Sequence, residues 1–224
     1  MPSQHSPSEL SFGTFLVYPT RGTTPRCQTA RDVVLNVKRD YPVAGKSVRW
    51  PEYTARRLIR EPVSSPLRAF LSGAICLVPL PRSSPILPKK WGPSLWPALR
   101  ICEALIESGI GREIVPCLRR IESTRKSATA AQGERPGPHE HYATIDVQLG
   151  ALPEGAAVLL VDDVITRGAT MLGSAWRLQA AFPTVAMKGF AIALTRGAAE
   201  DIPDVIEPHV GRIWYDGQSV RREP

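Results

Sequence analysis

Nothing in these 224 residues can cross a bilayer as a helix: no run approaches the ~18 consecutive apolar residues that a span requires. Cysteine is scarce. The four present, Cys27, Cys76, Cys102 and Cys117, form no CxxC pair and have no metal-ligand spacing, which excludes a cysteine zinc ribbon. Cys76 and Cys117 fall in apolar runs read as strands and Cys102 on a helix face, so buried reduced thiols are expected. Residues 1–10 lack an apolar core; they read as a loose tail and not as a signal peptide, and a cytoplasmic protein is expected. No internal repeat is visible. Acidic side chains are outnumbered, Asp+Glu 21 against Lys+Arg 28, for a net charge of +7. A basic balance fits nucleic acid, an anionic membrane surface or a polyphosphate ligand. The cations are scattered, with dense groups only at Arg56-Arg57-Leu58-Ile59-Arg60, Lys89-Lys90, Arg119-Arg120 with Arg125-Lys126, and Arg221-Arg222. That scatter favours a phosphate-rich small molecule over nucleic acid, and no membrane partner is expected.

What is present is a chain with 43% apolar residues, enough to bury the core of one domain or of one domain with a small appendage. After the tail, a strand is expected at 15–18, an apolar run of ambiguous type at 33–37 and a short helix near 53–59. The Pro- and Arg-rich first third, 11–73, reads as an irregular cap or hood on a core over 74–218. From residue 74 the pattern sharpens. Ala74-Ile75-Cys76-Leu77-Val78 is a continuous apolar run, as for a strand covered on both faces. The three prolines in Pro79-Leu80-Pro81-Arg82-Ser83-Ser84-Pro85 require a loop. Ser94 offers a cap for a helix to about Ser108, with Leu95, Leu99, Cys102 and Ile106 at helical spacing and Gly109 or Gly111 as its stop. Strands follow at 114–118, 142–147, 157–161, 186–194 and 213–215, and a helix at 170–182 carries Met171, Ala175, Leu178 and Phe182 on one face. Residues 119–141 are almost devoid of apolar side chains, and so long a structureless stretch is usually functional or disordered. Strand and helix alternate between 74 and 194, which predicts an α/β fold with a parallel sheet and helices on both faces.

The chemistry concentrates at Val158-Leu159-Leu160-Val161-Asp162-Asp163-Val164-Ile165-Thr166-Arg167-Gly168-Ala169-Thr170. An apolar strand ends in two adjacent carboxylates, and a short Thr/Gly turn then opens a helix. Such a turn at the carboxyl edge of an open α/β sheet is where ligands bind. Thr166, Gly168 and Thr170 offer hydroxyls and backbone N–H groups at a helix N-terminus, a nest for a phosphate. Asp162 and Asp163 can accept hydrogen bonds from vicinal sugar hydroxyls. The segment therefore asks for a ligand with a phosphate at one end and a diol beside it.

This run resembles the signature of type I phosphoribosyltransferases, which bind phosphoribosyl pyrophosphate (PRPP). The resemblance implies a phosphoribosyltransferase-like parallel sheet flanked by helices. It implies that Asp162 and Asp163 hold the ribose hydroxyls while Val164, Ile165, Thr166, Arg167, Gly168, Ala169 and Thr170 wrap the 5-phosphate. Arg167 stands where many members have a small residue, and both a phosphate contact and a solvent-facing side chain are open to it. Pro81, Arg82, Ser83 and Ser84 lie where the family keeps its pyrophosphate loop. The stretch 119–141 lies where it has a mobile catalytic loop, with Arg119 and Arg120 as catalytic cations over the leaving group. The order of the VPLP loop, a helix, Leu118-Arg119-Arg120, Glu134-Arg135 and VLLVDDVITRGAT narrows the resemblance to the ComF-type branch over roughly residues 74–196. The region 34–38 echoes that branch's lysine-containing segment. This chain departs from the branch in having no zinc ribbon and in reading Ser123-Thr124-Arg125-Lys126-Ser127 after the double arginine.

The resemblance implies an enzyme that transfers ribose 5-phosphate from Mg²⁺-bound PRPP to an unknown nitrogen nucleophile and releases pyrophosphate. The magnesium would arrive with PRPP, with no direct protein ligation assigned, and a homodimer is plausible for such a fold. A non-catalytic PRPP or nucleotide sensor and a nucleic-acid-associated ComF-like factor stand as alternatives. His139 and His141 flank Glu140 but lack further ligands at metal spacing, so they read as hydrogen-bonding loop residues. Trp91 and Trp96 are candidates to stack a base, although packing is the expectation for Trp96 and Trp176. With no tetrahedral ligand set in the sequence, elemental analysis of the purified protein is expected to find no stoichiometric zinc; about one zinc per chain would overturn that reading.

Overall fold

Proline dictates where the helices of this chain begin. In the computed structural model, which describes residues 8–85, 95–124, 136–153, 155–197 and 201–223, five of the helices carry proline in their first turn. The missing N–H costs nothing there, because that donor has no intrahelical partner. In chain order the elements are β1 (Glu9–Pro19), α1 (Pro25–Lys38), α2 (Trp50–Leu58), α3 (Pro66–Phe70), β2 (Ile75–Pro79), α4 (Pro97–Glu107), β3 (Glu113–Ile114), β4 (Leu118–Arg120), α5 (Pro138–Ala143), β5 (Ile145–Val147), β6 (Ala157–Ile165), α6 (Ala169–Ala181), β7 (Ala186–Arg196), β8 (Ile206–Tyr215) and β9 (Val220–Arg222).

Seven strands form one sheet in the order β3-β2-β6-β7-β1-β8-β9. The run from β3 to β1 is parallel, and β8 and β9 join antiparallel. Along β6 the side chains alternate between two cores. Val158 and Leu160 enter the core covered by α6, whereas Leu159 and Val161 enter the one covered by α1, α2, α3 and α4. The fold is thus an α/β structure with helices on both faces of a mostly parallel sheet, as the alternation predicts.

The first third is not an irregular cap. β1 begins at Glu9, inside the expected tail, and runs within the sheet between β7 and β8, with Phe12 and Phe15 fully buried. The ambiguous run at 33–37 belongs to α1. Thr24 caps this helix by accepting from the Cys27 N–H, and Cys27, Ala30, Val34 and Val37 form its buried stripe. Proline density was the misleading signal, because Pro25, Pro51 and Pro66 start helices here rather than break them.

Other boundaries also move. α4 starts after Trp96, with Ser94 outside the described residues, and its buried side is Ala98, Ile101, Cys102, Ala104 and Leu105. Of the expected face only Cys102 is buried, and Leu95 is exposed, because the helix packs about one residue out of phase with that face. The strand expected at 114–118 splits. β3 pairs with β2 at the sheet edge, and β4 pairs with β5 in a separate two-stranded sheet. Tyr142 lies in α5, where strand was expected, because Pro138 starts a helix turn that packs on α6. β8 is longer than the expected 213–215 and is followed by the hairpin strand β9. Among the described residues, no helix is long and apolar enough to cross a membrane.

The α5–α6 contact depends on Gly173. A Cβ placed there would lie 2.4 Å from the Pro138 carbonyl oxygen and 2.7 Å from the His141 Cβ. Backbone cannot yield as a flexible side chain can, so Gly173→Val is expected to cost about 1–3 kcal/mol by overpacking. Urea unfolding checks this through a lower midpoint at an unchanged slope.

Candidate functional site

β2 and β6 are parallel neighbours, so the loops that leave their carboxyl ends emerge side by side. Their strands are roughly 5 Å apart, and the Leu80 N–H donates to the Val161 carbonyl at 2.8 Å, which stitches the two exits together. The first loop carries Pro81, Arg82, Ser83 and Ser84. The second is 166–170, which opens α6. The two segments singled out in the sequence thus converge on one sheet edge.

The first loop is held by its carbonyls. Leu80 O accepts from the Trp96 indole at 2.7 Å, Arg82 O from Arg120 Nε at 3.0 Å and Ser83 O from the Thr124 N–H at 2.8 Å. Among the described residues all peptides are trans, so each N–H points opposite to the carbonyl before it. Fixing Arg82 O and Ser83 O toward the protein turns the Ser83 and Ser84 N–H groups the other way. Consecutive amides directed outward make an anion nest. Arg82 itself is exposed and donates to Leu95 O at 3.1 Å.

The second loop contains Gly168 at φ 91°, a left-handed conformation that glycine alone adopts without cost. A Cβ there would also come within 2.7 Å of the Ile213 side chain. α6 follows with no side-chain cap, leaving its first N–H groups, from Ala169 onward, without partners inside the helix. Thr166 O accepts from Thr195 Oγ1 at 3.4 Å, and Arg222 Nη2 donates to Thr195 O, so the C-terminal hairpin braces this turn. Arg167 is exposed and forms no ion pair or side-chain hydrogen bond among the described residues.

β6 runs through the acids to Ile165, whereas the sequence suggests that it ends before them. Strand alternation therefore separates the pair. Asp163 meets Lys38 Nζ at 3.3 Å on the α1 face, while Asp162 lies on the face of α6, where its charge acts on Arg120. Asp162 Oδ1 also accepts from the Asp163 N–H at 2.8 Å. Burial, followed by the neighbouring Asp163 charge, raises the Asp162 pKa. For Lys38, burial acts to lower the pKa, but the Asp163 and Asp162 charges outweigh it and hold the ammonium above its ordinary value. The lysine of the 34–38 region thus acts on the acid pair itself.

Arg119 and Arg120 alternate on β4, and only one of them faces outward. Arg119 is exposed and pairs with Asp146 at 3.4 Å. Arg120, expected as a catalytic cation, is 3% exposed. Its Nε is bound to Arg82 O, Nη1 donates to Thr144 Oγ1, and Nη2 lies 3.2 Å from His141 Nδ1. A guanidinium used in this way positions the loop after β2 through the Arg82 carbonyl. Because guanidinium can only donate, His141 Nδ1 must accept, and its Nε2–H then faces Thr170 Oγ1 at 3.3 Å. Arg120, His141 and Thr170 so connect the two loops.

His141 is the residue that the sequence reading undervalued. It sits in α5, where its burial follows only from the turn that begins at Pro138. His139 packs against Trp176 and Tyr215 at 5.0 and 5.1 Å between ring centroids. Lys89-Lys90, Trp91, Arg125-Lys126 and Glu134-Arg135 lie outside the described residues, as does most of the stretch expected to be a mobile loop. No group of three or more His, Cys, Asp or Glu side chains among the described residues could hold a metal ion. The oxygen donors at 162 and 163 fit magnesium carried mainly by a ligand's own phosphates. Neither a protein-family model nor a curated protein matches the chain.

The buried histidine generates a pH dependence. Burial, followed by the Arg120 charge, lowers the His141 pKa to about 4. The unfolded imidazole titrates near ~6.5, so between those values the unfolded state binds the extra proton and acidification favours unfolding. Asp162 acts in the opposite sense, since its raised folded pKa makes protonation stabilising. Comparison with His141→Gln isolates the histidine. From about pH 7 to about pH 5 the wild type is expected to lose on the order of 2 kcal/mol more than the variant in urea unfolding.

Proposed function

We propose that this protein is a phosphoribosyltransferase: it binds PRPP across the adjacent exits of β2 and β6 and transfers ribose 5-phosphate to a nitrogen nucleophile. The observation that carries the reading is the meeting, at the carboxyl ends of neighbouring parallel strands, of the 81–84 loop and the uncapped start of α6, with a carboxylate pair at the same edge. A PRPP-like ligand has a phosphate at each end and a diol between them.

In this reading the first N–H groups of α6 and the Thr170 hydroxyl bind the 5-phosphate. His141 fixes that hydroxyl by donating to its oxygen, so the Thr170 proton is directed away from His141 and is free for the ligand. Asp162 and Asp163 accept from the ribose hydroxyls, and Lys38 pairs with Asp163. The Ser83 and Ser84 amides take the pyrophosphate. The nucleophile's nitrogen lone pair attacks the anomeric carbon as the bond to the pyrophosphate oxygen breaks, and that bond's electron pair leaves with pyrophosphate. The proton freed from the nucleophile passes to solvent. Preorganised dipoles that meet the developing charge would supply most of the rate. Magnesium, when bound with PRPP, would neutralise part of the diphosphate charge.

A second reading is a non-catalytic PRPP sensor on the same loops. It is favoured by the burial of Arg120, which removes one of the two cations expected over the leaving group. Release of pyrophosphate in the presence of a panel of nitrogenous bases separates the two readings. The shared claim, PRPP binding, is tested by calorimetric titration of Mg²⁺–PRPP into wild type and Asp162→Asn/Asp163→Asn. Each lost charge-assisted hydrogen bond is worth about 1.5–3 kcal/mol, so the double variant is expected to bind at least about 100-fold more weakly with its fold intact. Equal affinities would remove the carboxylates from the site, and no binding by wild type would end both readings.

A further inference from the structure

A second concentration of positive charge lies apart from the strand-edge loops. The turn 43–48 folds back on itself, with the Val43 N–H donating to Val48 O at 2.9 Å and the Lys46 N–H to Val43 O at 3.1 Å. Gly45, at φ 70°, permits the reversal. The turn carries Lys46 over the Tyr53 ring of α2, 4.7 Å from its centroid. Together with α2 it borders a half-open cavity of about 430 Å³ lined by Gly45, Lys46, Ser47, Val48, Tyr53, Arg56, Arg57 and Arg60. No residue of 81–84 or 162–170 contributes to it.

Four cations and no acid line this cavity. Arg56 pairs with Glu52 on α2. Lys46, Arg57 and Arg60 have no carboxylate partner among the described residues, and the side chains of Arg57 and Arg60 make no hydrogen bond there. Basic groups in the last turn of a helix are favoured by its dipole, which accounts for Arg56 and Arg57 but not for the rest. Arg60 lies in the turn just beyond the C-terminal end of α2 and adds a further cation to the same end of the helix. Lys46 is brought toward the same charges from a different segment. Such convergence is unfavourable until an anion neutralises it.

We propose that this cavity is a second anion site, for a compact polyphosphate: a ligand with two or three linked phosphates. A half-open cavity of this size, lined by four exposed cations and no acid, fits a short, highly charged group better than a polymer backbone, which would follow a longer basic stripe. Guanidinium forks from Arg57 and Arg60 suit adjacent phosphate oxygens, and the Lys46 ammonium adds a point charge from a separate segment.

Inorganic tripolyphosphate is the probe, with a nucleoside triphosphate as a second arm to separate a free polyphosphate from a nucleotide's phosphate tail. Calorimetry at near-physiological salt suppresses loose surface association. Wild type is expected to take up one equivalent more tripolyphosphate than Lys46→Ala/Arg57→Ala/Arg60→Ala, and Arg57→Ala alone is expected to weaken that equivalent by about 10-fold. Asp162→Asn/Asp163→Asn is expected to retain it, so loss of the strand-edge site and loss of this one are read independently. Tighter binding of the nucleoside triphosphate, abolished by the same triple variant, also supports the site and adds a base contact. Equal stoichiometry and affinity in wild type and the folded triple variant would overturn the proposal. So would a single-stranded oligonucleotide that depends on these residues while tripolyphosphate does not bind.

Discussion

A buried guanidinium has to satisfy its donors where water cannot, and Arg120 is where this fold meets that demand. Its partners come from two segments remote in sequence: the Arg82 carbonyl in the loop after β2, and His141 and Thr144 in and just after α5. Burial lowers its pKa to about 10, so it stays charged, and a charged donor makes stronger hydrogen bonds than a neutral one. Through those bonds one side chain sets the direction of the Ser83 amide and the tautomer of His141. The tautomer in turn sets the orientation of the Thr170 hydroxyl. Both loops of the candidate site therefore depend on one nearly buried residue.

The acid pair obeys a different constraint. Adjacent residues on a strand point to opposite faces, so continuation of β6 to Ile165 gives the two carboxylates different surroundings. Asp163 is compensated by Lys38, whereas Asp162 is more deeply enclosed and next to a like charge. The two groups are chemically inequivalent before any ligand arrives. Divergent environments for two acids are how one site can hold one carboxyl ionised and another readily protonated.

Support for the loops comes from parts of the chain remote in sequence. Ile213 of β8 fills the space that a side chain at 168 would need, and Arg222 of β9 anchors Thr195, whose hydroxyl holds Thr166. The antiparallel addition of β8 and β9 to a parallel sheet thus braces the phosphate-type turn from behind. Gly173 does the same for α5, bringing His141 close enough to α6 to reach Thr170.

Strand-and-helix alternation from residue 74 onward, the continuous burial of β2 and β6 and the glycine turn into α6 were all legible in the sequence, because local periodicity and backbone allowance decide them. The meeting of the loops at 81–84 and 166–170 rests on β2 and β6 being neighbours, an order that a parallel sheet alone does not fix. The first third was not legible: proline at a helix start and proline in a loop look alike until the neighbours that cover Val34, Val37 and Phe15 are known. Nor could sequence show that Arg119 faces solvent while Arg120 is enclosed, since a two-residue alternation has no sign until packing supplies one. The Lys38–Asp163 pair and the Arg120–His141–Thr170 connection join residues far apart in the chain. Only the tertiary structure decided these, because long-range pairing of charges is selected by burial, and burial belongs to the whole fold.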